Sequence, residues 1–317
     1  VSNRVRYIIK RIGYAVITIF VLIALTFTLM HLLPGDPFTG PKAIPESVKE
    51  ALNVKYGLDK PLLQQFFIYV GNVLSGDLGA SVPDGRLVTD IIKQAFPVSL
   101  ELGIRSLIFA FIIGILLGIV AAIKRGTVWD SASMFLALIG VSVPSFIIGS
   151  LLQYFLGLKL YQATGTQVFA IMGWTTANSK ILPAFALAFS SMATISRLMR
   201  TSMLDVLNQD YIKTAKAKGL KQRQIIWLHA VRNAIMPVVT VMGPLVASVL
   251  TGAFVVENIF SIPGLGKYFV QSVQTNNYTV ISGTTIFYGT FLILANLVVD
   301  LIYGFIDPRV KLTGGKE

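Results

Sequence analysis

The sequence predicts an all-α, polytopic membrane protein with six transmembrane helices. Three observations lead there. Apolar residues make up 54% of the chain and charged residues only 13%, against roughly 25% charged in ordinary soluble domains. The apolar residues gather in six runs bounded by basic or turn-forming residues. Lys and Arg are spread unevenly over the segments between those runs. A length of 317 residues would suit one or two soluble domains, but this composition does not.

The first run, Ile12–Leu33, follows Arg4, Arg6, Lys10 and Arg11 and carries no formal charge over 22 residues. At about 1.5 Å per residue it crosses a hydrocarbon core of roughly 30 Å. Its length exceeds the apolar core of about 7–15 residues in a signal peptide, so it reads as a retained span. Residues 34–96 form the longest polar stretch and read as an extracytoplasmic segment. Leu62, Phe66, Phe67, Tyr69 and Val70 mark a short amphipathic helix within it, ahead of a Gly-rich turn.

Span two is expected after Pro97, with Ser106–Ile123 charge-free and Lys124 and Arg125 ending it. Span three lies within Ser131–Leu158, where Gly140 and Pro144 permit a kink. Lys159 to Lys180 reads as a polar loop holding Phe169 and Trp174. Span four, Ile181–Ser196, is short, and Lys180 and Arg197 can extend it by snorkelling. Span five is roughly Asn233–Val256. Span six lies within Tyr268–Val299 and begins near Tyr278, and the tail after it is polar. The segments are therefore 1–33 (N-terminus and first span), 34–96, and a five-helix core over 97–317.

Six spans put both termini on one side. Seventeen Lys and Arg fall in the segments on that side, against Lys159, Lys180 and Lys267 in the two short opposite loops. The positive-inside rule then makes both termini cytoplasmic. The net charge of +12 follows from topology and contact with anionic lipid, and no nucleic-acid partner is needed to explain it.

One stretch is more elaborate than topology requires. Between spans four and five, Lys213, Lys216, Lys218, Lys221 and Arg223 fall within eleven residues without an acid among them. Asn208 or Asp210 can cap a helix starting near Tyr211, and Gly219 can end it in the left-handed conformation. A second helix then runs over Gln222–Leu228 towards Pro237. Lysines that only fixed orientation would not explain the apolar face of Tyr211, Ile212 and Ala215. Nor would they explain a hairpin where five residues would serve.

The stretch "YIKTAKAKG…LHAVRNAIMP" resembles the cytoplasmic EAA-type loop of binding-protein-dependent ABC importer permeases, in the version of the dipeptide/oligopeptide branch. "RIGYAVITIFVLIALTFTLMHLLPGDPF", "YGL…P…QF…Y…GDLGAS", "VVENIFSIPGLG" and "DLIYGFIDPRVKL" resemble the same branch, in the same order, over nearly the whole chain. Two positions depart from the general EAA pattern: Lys213-Thr214-Ala215 stands for Glu-Ala-Ala, and Val231-Arg232 for Leu-Pro. The resemblance implies a type I ABC importer permease fold in a bacterial or archaeal plasma membrane. It implies a second homologous permease, two cytoplasmic ABC ATPases and an extracytoplasmic peptide-binding protein as partners. Tyr211, Ile212, Lys213, Ala215, Lys216, Gly219 and Leu220 would couple to an ATPase. No cofactor is expected in this chain, and ATP and Mg²⁺ would belong to the ATPases. Nickel and glutathione permeases resemble this branch closely, so the cargo stays open.

Five further residues are candidates for the pathway or its gate. Glu101 and Arg105, four apart on one helix, can simply pair or can line a polar passage for the two ends of a peptide. Asn296 and Asp300 near the end of span six can hydrogen-bond between helices, pair with Arg197 or Arg200, or serve a proton relay. The relay would need a second acid or a histidine in another span. Glu257 opens "ENIFSIPGLG", which lacks the Gly-Lys-Ser/Thr ending of a phosphate loop and reads as a turn at the outer mouth. Gly114 and Gly118 read as helix-packing positions. With no cysteine, and only His31 and His229 far apart, neither a metal cluster nor a nucleophile with its base is visible, and an enzyme is not expected.

Overall fold

A computed structural model describes residues 3–32, 50, 54, 57–82 and 84–306. These are helices and turns, with one isolated bridge between Ala80 and Leu87. The tail from 307 and most of 33–56 lie outside the described residues. Two compact units divide the rest: one holds the described residues up to Val98 and from Gly264 on, the other is Ser99–Pro263.

In the first unit, α1 (Asn3–Leu32) lies along α14 (Tyr278–Ile306). At Gly289 of α14 the tip of the Leu22 side chain occupies the space that a Cβ would take. The expected amphipathic helix is α2 (Leu62–Ser75), ended by Gly76 at φ +84°. Its Phe66 packs edge-on to Phe20 and Phe27 of α1, at ring distances of 5.9 and 5.4 Å. His31 Nε2 lies 2.9 Å from Gln65 Oε1. α2 therefore rests on the first span through one aromatic face, while Leu62, Leu63, Phe67 and Leu74 stay exposed. α13 (Leu265–Gln274) precedes α14 as a separate short helix.

α3 (Val88–Ile123) is divided between the units. It begins nine residues before Pro97, which is expected to precede the span but sits inside the helix. Proline removes a backbone donor and usually marks a boundary, but membrane helices accept it where neighbours compensate. Phe96 beside it packs against Phe287 and Phe291, at 4.8 and 4.9 Å.

The second unit is built around α7 (Ile181–Leu207), with 61% of its most apolar window buried within the chain. α4 (Val128–Ser142) and α5 (Ser145–Leu152) meet at Pro144. α5 continues through a π turn (Gln153–Lys159) into α6 (Leu160–Thr164), and the whole bends 112° from α4. The kink expected at Gly140 and Pro144 is present and is a sharp corner. Five described helices are long and apolar enough to cross a membrane, and six if the bent pair is one span.

Span four does not stop at Ser196 as its charge-free run suggests. The helix carries on through Arg197 and Arg200 to Leu207. Beyond the hairpin the chain is a broken helix: α10 (Val231–Ala234), α11 (Met236–Thr240) and α12 (Met242–Ile259). Span five thus starts later than expected, because Pro237 and Pro244 each interrupt the backbone bonding. After α6 an irregular segment folds back onto the end of α12. Gln153 donates to the Ile171 and Ile259 carbonyls at 2.9 and 3.1 Å, and Gly173 N–H donates to the Phe260 carbonyl at 2.8 Å.

Candidate functional site

The basic stretch folds as a helical hairpin. α8 (Asp210–Ala217) leaves α7 after two residues, and α9 (Gln222–Gln224) with the π turn Ile225–Ala230 returns towards span five. Neither Asn208 nor Asp210 caps α8. The N-cap position falls to Gln209, in extended backbone and without a side-chain cap bond. Asn208 still closes α7 in helical conformation, which leaves only Gln209 to turn the chain, and Asp210 is already inside the new helix.

The C-terminal end follows expectation. Gly219 adopts φ +75°. Its N–H donates to the Lys216 carbonyl at 3.0 Å, and Leu220 N–H donates to the Ala215 carbonyl at 3.3 Å. These are the paired bonds of a glycine-terminated helix end. A Cβ at Gly219 would meet nothing within 4 Å, so the demand for glycine comes from backbone conformation and not from crowding.

α8 has two faces with different jobs. Ile212 is fully buried and Ala215 is 6% exposed, and both belong to a core that includes Met199, Met203, Ile225, Ile226 and Ala230. Leu220 packs against the same core. Tyr211, Lys213, Lys216 and Gly219 face outward, and Lys213 pairs only with Asp210, at 2.8 Å. The sequence groups Tyr211, Ile212 and Ala215 on one apolar face. The structure splits them, because the hairpin must bury a stripe on its own spans before it can present another.

α7 joins this hairpin to the rest of the unit. On α3, a Cβ at Gly114 would come within 2.8 Å of the Met192 carbonyl, and one at Gly118 within 2.6 Å of the Ser196 carbonyl and of Met199 Cβ. On α4, a Cβ at Gly140 would lie 2.6 Å from Ala193 Cβ. Glycine at all three positions is a condition of contact with α7, as expected for Gly114 and Gly118. Asp130, 6% exposed in the first turn of α4, takes Arg200 of α7 in a two-toothed ion pair. Nε donates to Oδ1 at 2.7 Å and Nη2 to Oδ2 at 2.8 Å. Sequence reasoning missed this pair, although Asp130 is the only acid between Glu101 and Asp205.

The other candidates fall in separate places. Glu101 and Arg105 pair as their spacing suggests, at 2.7 Å. Lys180 joins at 2.9 Å and the Trp174 indole N–H at 3.1 Å, so Glu101 is shared by three donors from α3, the returning loop and the start of α7. Lys180 also sits 5.2 Å from the Trp174 ring centre. Glu257 is fully buried in the last turn of α12, and its carbonyl accepts from Ile262 N–H at 2.8 Å. That bond closes the turn at Ser261, which holds φ +53°. In the first unit, Asp300 is paired with Arg11 of α1 at 2.7 Å, and not with Arg197 or Arg200. The reason is packing: α1 lies along α14, while Arg200 is already held by Asp130. Asn296 is exposed on α14.

Comparison with known proteins bears on this arrangement. The family described as "Binding-protein-dependent transport system inner membrane component" matches residues 114–312, and its N-terminal companion matches residues 4–103. The chain belongs to this family. The permease is 47% identical over 310 residues to the dipeptide transport system permease protein DppB of Bacillus subtilis, covering 97% of this chain and 98% of the relative. Lactococcus lactis DppB, a protein of the same name, is 42% identical over 309 residues, covering 97% and 100%. The oligopeptide transport system permease protein OppB of Salmonella typhimurium is 38% identical over 309 residues, covering 96% and 99%. All three are named as transport permeases and not as enzymes. The permease is a multi-pass component of a binding-protein-dependent transporter, and the hairpin lies inside the matched region.

Proposed function

We propose that this permease is one transmembrane subunit of an ATP-driven peptide importer, forming the pathway with a second homologous permease. Two cytoplasmic ATPases, which bind ATP and Mg²⁺, would grip the hairpin, and an extracytoplasmic protein would deliver the peptide. Both termini and the hairpin would then be cytoplasmic. The observation that carries this reading is the division of labour on α8. Ile212 and Ala215 hold it to the core around α7, while Tyr211, Lys213 and Lys216 are left outward for a partner. Closure of the motors on nucleotide would press on α8 and tilt α7 and α12, switching the passage between inward-open and outward-open. Nucleotide biases the switch only through its different affinity for the two states. The peptide cargo is taken from the named relatives.

The test uses the absence of cysteine from this chain. A single cysteine at Lys213 or Lys216, in complex pulled from native membranes, should crosslink to a co-purifying ATPase. Reconstituted complex should take up labelled dialanine when ATP is present inside. Labelled glutathione and nickel ion serve as competing cargoes, and uptake of either in place of the dipeptide would reassign the cargo within the class. A hairpin that never crosslinks, or is labelled from outside, ends the proposal. Uptake driven by an ion gradient without an ATPase would also end it, in favour of a secondary transporter.

A further inference from the structure

The proposed function needs force at α8 to reach the spans, and the covalent joint between α8 and α7 is only Asn208 and Gln209, beside the packing of Ile212 and Ala215 on Met199 and Met203. A short joint of this kind transmits displacement only if the end of α7 is anchored to its neighbours. Apolar packing at Met199 and Met203 supplies part of that anchoring, and its directional part lies at Arg200, two turns before the end of α7. Its guanidinium is held by both oxygens of Asp130, and its backbone nitrogen lies 3.1 Å from where a Cβ of Gly118 would stand. Asp130 Oδ2 also accepts from Gly126 N–H at 3.0 Å. Gly126 stands at φ +76° in the turn between α3 and α4. One carboxylate thus ties the turn leaving α3, the first turn of α4 and the last third of α7.

A buried ion pair adds little net stability over well-packed apolar side chains, while its directional bonds fix geometry. The rest of this interface already packs through glycine and alanine and needs no charge to cohere. We propose that Asp130 and Arg200 form a clasp that makes the adjoining ends of α3, α4 and α7 move as one body with the hairpin. They are positioning residues for energy coupling and touch neither cargo nor nucleotide. The inference rests on the proposed coupling role of the hairpin.

The test replaces the clasp with one that can be opened and closed in the same molecules. Asp130→Cys with Arg200→Cys creates the only thiol pair in the chain. The complex is reconstituted with its ATPases, and ATP hydrolysed per labelled dialanine taken up is measured before and after bridging with a short bifunctional thiol reagent. Unbridged, the ratio should rise about tenfold over wild type while the ATPases still co-purify with the permease. Bridging should return it to within about twofold. Arg200→Lys, which keeps the charge and loses the second bond, should fall between. A normal ratio in the unbridged pair, or no recovery on bridging in complex that stays assembled, overturns the clasp. Wild-type complex that fails to couple ATP to uptake removes the underlying function as well, so the two failures are told apart.

Discussion

α1 and α7 are both long helices, but they stand in different surroundings. In their most apolar windows α7 is 61% buried within the chain and α1 only 17%, the same share as α14. The buried helix is the less apolar of the two. It meets its neighbours through Ala184, Ala186, Ala188, Ser191, Ala193 and Ser196, whereas α1 offers Val16, Ile17, Phe20, Leu25 and Leu29 to its surroundings. Lipid asks only for apolarity and internally bonded backbone, while helix packing in a membrane asks for small side chains and close approach. Apolarity therefore marks where lipid or another subunit is met. The packing centre of the second unit lies where apolarity falls.

If that contrast holds, the hairpin bound to α7 should be the most sensitive point. Ala215→Asp would put a carboxylate into the core around Ile212, Met199 and Ile225. An unpaired buried charge costs about 3–5 kcal/mol, enough to reduce the docked hairpin roughly a hundredfold or more. ATP-driven dialanine uptake should disappear while membrane insertion, read by fractionation, is kept. Lys216→Asp on the outward face of the same helix should leave the hairpin docked. Docking of the hairpin, read by its protection from limited proteolysis, should be lost only in Ala215→Asp, whatever Lys216→Asp does to the grip of a partner; equal loss of protection in both would show that α8 is not two-faced. Gly219→Pro should also abolish uptake, because proline cannot take the positive φ of that position.

A matched pair of glycines sharpens the comparison. Gly118→Leu must displace Met199 and the α7 backbone, at a cost of about 1–3 kcal/mol. Gly13→Leu on α1 meets nothing within 4 Å and should be neutral, or stabilising by up to about 1 kcal/mol through helix propensity. Thermal unfolding of the purified complex should show the first midpoint lowered by several degrees and the second unchanged or raised. The reverse order would mean that α1 carries the load.

The same contrast explains what the sequence discloses. Spans with little of their surface buried within the chain, such as α1 and α14, are found where long apolar runs predict them. Gly219 as a helix stop and Pro144 as a corner follow from single-residue stereochemistry. α7 is cut short by a charge-free criterion, because Arg197 ends the apolar run, although its side chain stands exposed and Arg200 beyond it finds a partner seventy positions away at Asp130. The inward turn of Ile212 and Ala215 depends on what covers them, which local pattern does not carry. Trp174 and Lys180 on Glu101 follow from a loop that folds back by tertiary contacts. The candidate site is legible as a hairpin with a basic surface; its division into a held face and a presented face is not.

The smallest effect is expected at the charge pair of the exposed unit. Arg11 and Asp300 are 42% and 37% exposed, so each side chain still reaches solvent or headgroups, and such pairs are worth about 0–1 kcal/mol. Asp300→Asn should shift the unfolding midpoint by no more than about 2–4 °C, since about 1 kcal/mol corresponds to roughly that shift in a chain of 150–250 residues and to less in a longer one. Uptake should stay within about fivefold of wild type, because a change of that energy moves an equilibrium by no more than roughly fivefold. Arg11→Gln should behave alike, and the two changes together should cost no more than either alone, as removing one partner already removes the pair. Uptake that collapses in Asp300→Asn but survives in Arg11→Gln would single out the carboxylate itself as a pathway or proton-bearing group. The exposed pair of helices would then carry chemistry that the buried helix does not.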